Sequence, residues 1–321
     1  MGKQMRAVLC RDFSGPDHLE LGEAPEPQPT EDEILIDVHA ASVTYMDLLL
    51  ISGGYQMRPP TPFVPGTEAA GVVVSVGSKV TRFKPGDEVF GGSKGSFAEY
   101  LRVREGGAVA PKPANVSHAQ AAAMPIAAVT ALQALRDQAQ LKPGQKVLVN
   151  GASGGVGTYA VQIAKATGAE VTGITSARNI DMVASLGADR VLDYKTADFT
   201  AEDARYDVII DTVGNRDLRD LERVLATRGV AVIIGGSGRD PWIGALSVPI
   251  KIMTWGRFAD HEFKFFIAGL DPSDLDYLAG LMASGRMKSV IDRTYPLAQV
   301  PQAVAYVEEG HARGKVIIAV D

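Results

Sequence analysis

The sequence predicts an α/β protein of two domains, a small β barrel or sandwich and a doubly wound parallel sheet. Three observations predict it. The chain has 321 residues, and at roughly 100–200 residues per domain two domains are expected. Its texture changes near residue 125, from short β-branched runs split by glycine and proline to strands that alternate with helical patterns. A glycine-rich turn, Gly151 to Gly157, lies between an apolar strand and a helix. Hydrophobic residues make up 46% and charged residues 22%, enough apolar surface to offset ordering entropy, which excludes disorder as the main state. The 34 glycines exceed the usual share of about 7% but have no period, so they mark turns and ligand loops rather than collagen.

The elements follow in order. Residues 5–10, 34–38, 71–76 and 88–90 read as short strands, separated by Pro25, Pro27, Pro29, Gly77, Gly86, Gly91 and Gly92; that spacing suits a barrel or sandwich. From 125 to 268 the alternation begins. Strands are expected at 147–149, 171–174, 190–192, 208–210, 230–234 and 263–267, with helices at 155–167, before Gly187 and at 217–226. Apolar strands of this kind, buried on both faces, signal a parallel sheet. The tail reads as a helix at 274–284, strands at 290–291 and 315–320, and a helix at 300–308. A last strand of this kind can rejoin the first domain and make it discontinuous. Residues 235–253, with Trp242 and Pro249, form the one insertion-like segment, and its Ile, Leu, Trp and Val content suits an apolar dimer edge or an inward fold.

Charge and composition remove several function classes. Net charge is −6, from 32 basic and 38 acidic residues, without a long basic run; nucleic-acid and anionic-membrane binding depend on clustered Lys and Arg. The single cysteine, Cys10, allows no internal disulfide, and five scattered histidines, among them the isolated His261 and His311, do not make a soft-ligand metal site. The opening Met1 to Arg6 lacks the apolar run of a secretory leader, and the longest mildly apolar run, 121–132, is too short to span a bilayer. A cytoplasmic protein is the expectation.

The glycine turn carries the sharpest chemistry. Gly151 permits a tight turn, Gly154 lets backbone N–H groups approach a pyrophosphate, and Gly157 lets the helix pack close to its strand. Ser153, Gly155 and Val156 complete the cradle, at the positive end of the helix dipole. The spacing is GxxGxxG rather than GxGxxG. An NAD reader places Asp or Glu about 20 residues beyond the loop; here stand Thr175, Ser176, Ala177 and Arg178, with Asp181 further on in the next helix. Arg178 offers a guanidinium fork for a 2′-phosphate, Ser176 a hydroxyl and Tyr194 a phenol, so NADPH is expected over NADH. Val213 ends one strand and Gly235-Gly236 another; turns at the carboxyl ends of strands near the switch point face the ligand.

Beyond the loop, ordered motifs run nearly the whole chain: Ala41 to Asp47, Gly66 to Val80, Phe83 to Val89, Gly95 to Tyr100, Pro125 to Ala131 and Gly310 to Val316. With these the chain resembles the medium-chain dehydrogenase/reductase superfamily, in its zinc-free quinone oxidoreductase branch. The resemblance implies a GroES-like β-barrel domain over 1–124 and 269–321, and a Rossmann NADP-binding domain over 125–268, with the nicotinamide in the cleft between them. It places Thr44, Tyr45 and Asp47 on the segment facing the nicotinamide, Tyr55 on the substrate wall, and Thr130 and Lys315 beside the cofactor. Zinc dehydrogenases of the superfamily have Cys where Thr44 stands and His where Thr67 stands; Glu68 alone is kept, and residues 90–99 hold no cysteine lobe. No zinc is expected. Sequence physics gives Glu68 a structural role, paired with a base or with backbone N–H groups. Thr44 replaces the Asn common in quinone oxidoreductases, and Leu49 the Tyr of bacterial quinone reductases. The resemblance implies a homodimer that takes a small quinone or enone. The expected activity is NADPH-dependent, zinc-independent hydride transfer to quinones or α,β-unsaturated carbonyls. Two alternatives stand beside it: an enoyl reductase of a biosynthetic pathway, and a non-catalytic NADPH-binding protein.

Overall fold

The computed structural model describes residues 2–55, 58–234, 252 and 261–320. The chain divides into two compact units, Met1–Val129 with Leu270–Asp321, and Thr130–Gly269.

The first unit is built on antiparallel pairing, with one parallel pair between its last two strands. β1 (Gln4–Cys10) and β2 (Leu19–Pro25) form a hairpin, with Met5 opposite Ala24. β3 (Glu33–Val43) is the long central strand. It pairs with β4 (Glu68–Val76) along one edge, and with β6 (Tyr100–Arg104) and β15 (Lys315–Ala319) along the other. β5 (Glu88–Gly92), β7 (Val109–Pro111) and β14 (Ile291–Pro296) complete the sheet in the order β14, β15, β3, β4, β5, β7. The last strand thus sits beside β3, Ile317 opposite Ser42. Val8, Ile34, Ile36, Val43, Phe97 and Ile318 form a core against which the helix Val300–Glu308 lays Val300, Ala303 and Val304. Burying such side chains contributes about 1.5–3 kcal/mol each.

Two local signals set the ends of short helices here. Thr44 and Asp47 form a capping box that starts the helix Tyr45–Ile51, and Ser117 and Gln120 do the same for His118–Ala122. The helix Pro272–Ala283 starts with Asp271 accepting from Ser273 N and with Pro272 in its first turn.

Among the described residues the second unit forms a six-stranded parallel sheet in the order β10, β9, β8, β11, β12, β13. The strands are β8 (Lys146–Asn150), β9 (Glu170–Thr175), β10 (Arg190–Asp193), β11 (Tyr206–Asp211), β12 (Leu225–Ile233) and β13 (Glu262–Phe265). Val147, Leu148 and Val149 are fully buried, as are Ile209 and Ile210 on the neighbouring strand, because helices cover both faces. The chain runs from β8 outward to β10 and then returns to β11 on the other side of β8. The switch point therefore lies at the carboxyl ends of β8 and β11.

Some elements differ from expectation. The helix expected at 217–226 is only Leu218–Arg223, because Leu225 enters β12 opposite Tyr206. The strand expected at 263–267 is Glu262–Phe265, and Ile267 is exposed. Gly235, Gly236 and all of the segment 235–253 except Ile252 lie outside the described residues, so the expected dimer edge is not described; Ile252 packs, partly buried, on the core of the second unit. Among the described residues no helix is long and apolar enough to cross a membrane.

Candidate active site

In the second unit the glycine turn follows β8 at the switch point. Gly151 has φ of 84°, a left-handed conformation that favours glycine, and a side chain there would collide with the Thr212 hydroxyl. Gly157 has no room either: a Cβ would strike the Gly151 carbonyl oxygen. Gly154 is different. A Cβ on it meets nothing of the protein closer than Gly151 O at 3.4 Å, so its bare backbone leaves a free approach that the fold does not require. The helix Gly155–Ala166 starts here; Thr158 N donates to Gly154 O at 3.0 Å, and the N–H groups of Gly155, Val156 and Gly157 come before that bond in the turn. An open backbone with leading N–H groups at a helix N-terminus fits a dinucleotide pyrophosphate.

Around the turn, side chains lock neighbouring strand ends together. Thr175 Oγ1 donates to Ser153 Oγ at 2.7 Å, which ties the loop to the end of β9. Tyr194 N donates to Thr175 O at 3.0 Å, bringing the start of the β10 exit to the same edge. Ser176 is half-buried and accepts from Asn179 Nδ2 at 3.3 Å; Arg178 is exposed, and Tyr194 is 48% exposed. Ser153, Ser176, Arg178 and Tyr194 thus gather at the carboxyl ends of β9 and β10. No carboxylate stands at the end of β9, where Thr175 is the last strand residue.

The end of β11 carries a group that the sequence reading missed. Asp211 is buried, and its Oδ1 accepts from Asn150 Nδ2 at 2.8 Å, Val213 N at 3.0 Å and Gly214 N at 2.9 Å. Burial raises its carboxyl above the ordinary range, against these hydrogen bonds. Asn150 Nδ2 also donates to Asn215 Oδ1 at 3.0 Å. This network shapes the turn that holds Val213, which is exposed. The signal for it was a lone acid closing the apolar run 208–211. Thr130 lies buried in the helix Pro125–Gln133.

The first unit holds a second, buried cluster. Glu68 opens β4 with no exposure. Its Oε1 accepts from Lys315 Nζ at 2.7 Å and its Oε2 from Ile126 N at 2.7 Å. Lys315 Nζ also donates to Val43 O at 3.3 Å. A Lys opening a strand is usually solvated, but this one is buried because β15 is an interior strand of the sheet. Asp47, also without exposure, accepts at Oδ2 from Thr44 N and Thr44 Oγ1, both at 2.7 Å. Thr44 Oγ1 lies 3.2 Å from Thr67 Oγ1. Burial pushes the Asp47 carboxyl up to about 6, against the hydrogen bonds from Thr44 and with help from the Glu68 charge. Of the other expected residues, Tyr45 is 59% exposed at the first position of its helix, outside this cluster's hydrogen bonds, and Tyr55 is half-buried, its N–H donating to Leu49 O at 3.0 Å. Thr67 was not among the expected site residues.

The residues present do not fit a catalytic zinc. Such a site needs three protein ligands, of nitrogen, sulfur or carboxylate type. Here two hydroxyls face each other; of the two carboxylates near them, Glu68 is taken by Lys315 and a backbone N–H, and Asp47 accepts from Thr44 N and Thr44 Oγ1. Among the described residues no group of three or more His, Cys, Asp or Glu is placed to hold a metal ion.

Comparison with known proteins agrees with this layout. Residues 30–114 match the alcohol dehydrogenase GroES-like domain, and residues 186–318 match a family described as zinc-binding dehydrogenase. The chloroplast envelope quinone oxidoreductase homolog of Arabidopsis thaliana is 36% identical, with 99% of each chain covered. The 2-methylene-furan-3-one reductase of Solanum lycopersicum is 34% identical, covering 98% of this chain and 79% of that protein. Among solved structures, the Escherichia coli quinone oxidoreductase complexed with NADPH has a TM-score of 0.84 and 26% identity, covering 98% of this chain and 100% of that one.

Proposed function

This chain belongs to the medium-chain dehydrogenase/reductase superfamily, among its quinone oxidoreductase-like members, and from that premise we propose an NADPH-dependent, zinc-independent reductase of quinones and α,β-unsaturated carbonyls. That it is an oxidoreductase using NAD(P)H follows from its relatives. The finer reading rests on one observation above all: the positions of the zinc donors hold Thr44 and Thr67, with hydroxyls 3.2 Å apart, while the dinucleotide turn is intact. With no zinc and no Ser–Tyr–Lys set evident in the sequence, alcohol oxidation lacks a strong proton acceptor. A conjugated carbonyl asks for less, because charge developing on its oxygen needs only hydrogen-bond donors.

When bound, NADPH supplies the hydride. The chain's own part is to bind, orient and exclude water. Gly151, Gly154 and Gly157 shape the pyrophosphate turn, with the N–H groups of Gly155 and Val156 as donors and Ser153 bracing the loop. Arg178 and Ser176, with the Tyr194 phenol, favour a 2′-phosphate where NAD readers keep an acid. Val213, held by the Asp211 turn, lies on the cofactor side of the switch point. Thr44, Asp47 and Tyr55 serve the acceptor.

The experiment is anaerobic coenzyme oxidation, NADPH beside NADH, with one small quinone and one alkenal, and a chelated sample in parallel. Turnover with NADPH that survives chelation is expected. Turnover lost on chelation overturns the metal-free mechanism. Tight NADPH binding without turnover of either acceptor overturns the substrate class. In the same assay Arg178→Ala raises KM for NADPH much more than for NADH; an equal effect on both coenzymes removes the 2′-phosphate assignment.

A further inference from the structure

The two strands at the switch point end in polar residues that the sheet itself does not call for. Asn150 closes β8, Asp211 closes β11, and the two stand opposite each other in the strand pairing. At the same level the outer neighbours carry isoleucine: Ile174 on β9 lies opposite Asn150, and Ile233 on β12 lies opposite Asp211. All four residues are buried. An apolar pair would therefore suit this layer, whereas a buried amide and carboxyl cost stability unless their polar atoms are matched. The match is incomplete, since Asp211 Oδ2 is buried with no hydrogen-bond partner among the described residues. Polar residues kept at such a cost point to a task other than packing.

Their hydrogen bonds show the task. Asp211 Oδ1 accepts from Val213 N at 3.0 Å and Gly214 N at 2.9 Å, so it stands as an acceptor and draws the NH2 end of the Asn150 amide. Asn150 Nδ2 donates to Asp211 Oδ1 at 2.8 Å and to Asn215 Oδ1 at 3.0 Å. The Asn150 carbonyl accepts from Thr212 N at 3.1 Å and from Thr212 Oγ1 at 2.8 Å. Residues 212–215 are thus hung on Asn150, which directly precedes Gly151. The fit from the other side is as close, because a Cβ on Gly151 would strike Thr212 Oγ1 and Val213 Cγ2. The glycine turn and the turn 212–215 form one block, with Asn150 and Asp211 as its joint.

Doubly wound sheets hold a dinucleotide across the switch point, one mononucleotide over each half of the sheet. On the reading of this chain as NADPH-dependent, the 2′-phosphate end lies at β9 and β10 with Ser176, Arg178 and Tyr194. That leaves the nicotinamide mononucleotide to the β11 side, at the turn 212–215. Resting on that reading, we propose that Asn150 and Asp211 are positioning residues for the nicotinamide half of the coenzyme. They hold the turn 212–215 at a fixed offset from the pyrophosphate turn, so both turns are in place before the coenzyme arrives. Preorganisation of this kind raises affinity by removing the ordering cost from binding. The two residues act through the backbone they hold, and the adenine half does not depend on them.

The test is calorimetric titration of the full chain with NADPH and, separately, with adenosine 2′,5′-bisphosphate, which carries the 2′-phosphate end and lacks the nicotinamide. Asn150→Ala cuts the joint but leaves Asp211 its two backbone donors; Asp211→Ala frees those donors as well. Asn150→Ala is expected to raise the NADPH Kd about tenfold and to leave the Kd of adenosine 2′,5′-bisphosphate within about twofold of the parent. Asp211→Ala gives at least the same split. Retained binding of the bisphosphate shows that a variant is folded, and Asn150→Ala, the milder change, decides the matter even where Asp211→Ala does not fold. An equal loss for both ligands in Asn150→Ala shows a general structural role and overturns the proposal. So does unchanged NADPH binding in that variant, and in either case the NADPH reading stands. A parent that binds NADPH but not the bisphosphate overturns the placement of the 2′-phosphate end, and the proposal with it. A parent that binds neither ligand overturns the NADPH reading itself.

Discussion

Asp47 and Lys315 each carry a consequence for stability that can be separated from activity. Asp47 holds its proton more tightly in the folded chain than in the unfolded one, about 6 against 3.8. Such a carboxyl contributes its full share of stability below the unfolded value and loses it as pH rises to the folded one. Asparagine at this position has no proton to lose. The stability of Asp47→Asn relative to the parent therefore grows by about 2–3 kcal/mol between pH 4 and pH 7, whatever the constant offset of the substitution. Denaturant melts of both proteins across that range check it, and a difference that stays flat shows that Asp47 is not raised. The Lys315–Glu68 pair makes the opposite point. Both side chains are buried, at 6% and 0% exposure, so Lys315→Met leaves an uncompensated carboxylate and costs about 3–5 kcal/mol. Adding Glu68→Gln to it restores most of the loss, since a neutral pair carries no desolvation debt. Chemical melts of the single and double variants read this directly; equal losses in both point to packing rather than charge.

At the scale of the element, the glycine turn separates what the fold needs from what a ligand needs. Gly157→Ala forces a Cβ onto the Gly151 carbonyl oxygen, so the helix Gly155–Ala166 must move from β8. Both stability and NADPH binding fall, the former by about 1–3 kcal/mol. Gly154→Ala meets only Gly151 O at 3.4 Å, so the melt stays within about 1 kcal/mol of the parent while NADPH affinity drops. Calorimetric titration beside a thermal melt distinguishes the two, and a Gly154→Ala protein that binds NADPH normally shows that the open backbone there is not the phosphate approach. This turn was legible in the sequence because strand, glycines and helix follow one another locally. So was the parallel sheet, whose strands are continuous apolar runs. The shorter antiparallel pieces were not. β7 is only three residues long, and β2 carries Gly22 and ends at Pro25, so neither shows a clear period. The helix Tyr45–Ile51 hid in an apolar run, although Thr44 and Asp47 spell its capping box. At the site, Thr44, Asp47 and Lys315 were visible through family motifs. Thr67 as the partner of Thr44, 23 residues away, and the burial of Lys315, 247 residues from Glu68, depend on which strands lie side by side, and no local pattern carries that.

For the whole molecule, chain order and spatial order part company in one unit and agree in the other. The parallel sheet draws every strand from Thr130–Gly269, a continuous stretch with its own buried core of Leu148, Ile209, Ile233 and Phe263. The sheet of the first unit, antiparallel except for its parallel β14–β15 pair, needs both ends of the chain. β15 lies between β14 and β3, with Val316 opposite Val43, and it brings in the lysine that compensates Glu68. Loop closure over so long a separation gives no return until β15 docks. Truncation before Lys315 therefore removes an interior strand, strips β3 of its β15 partner along residues 40–43, cuts β14 from the sheet and leaves Glu68 without its lysine. The first unit is expected to lose cooperative unfolding in that truncated chain. A fragment spanning 130–269 keeps all its strand pairings, and it is expected to unfold cooperatively by itself and to be stabilised by NADPH, by about 2.7 kcal/mol at a hundredfold excess over Kd. Circular dichroism melts of the fragment with and without NADPH, set beside the truncated chain, decide it. A fragment that melts without cooperativity shows that the parallel sheet depends on the other unit to fold, and a fragment that folds without a shift on adding NADPH shows that dinucleotide affinity is not carried by the glycine turn alone.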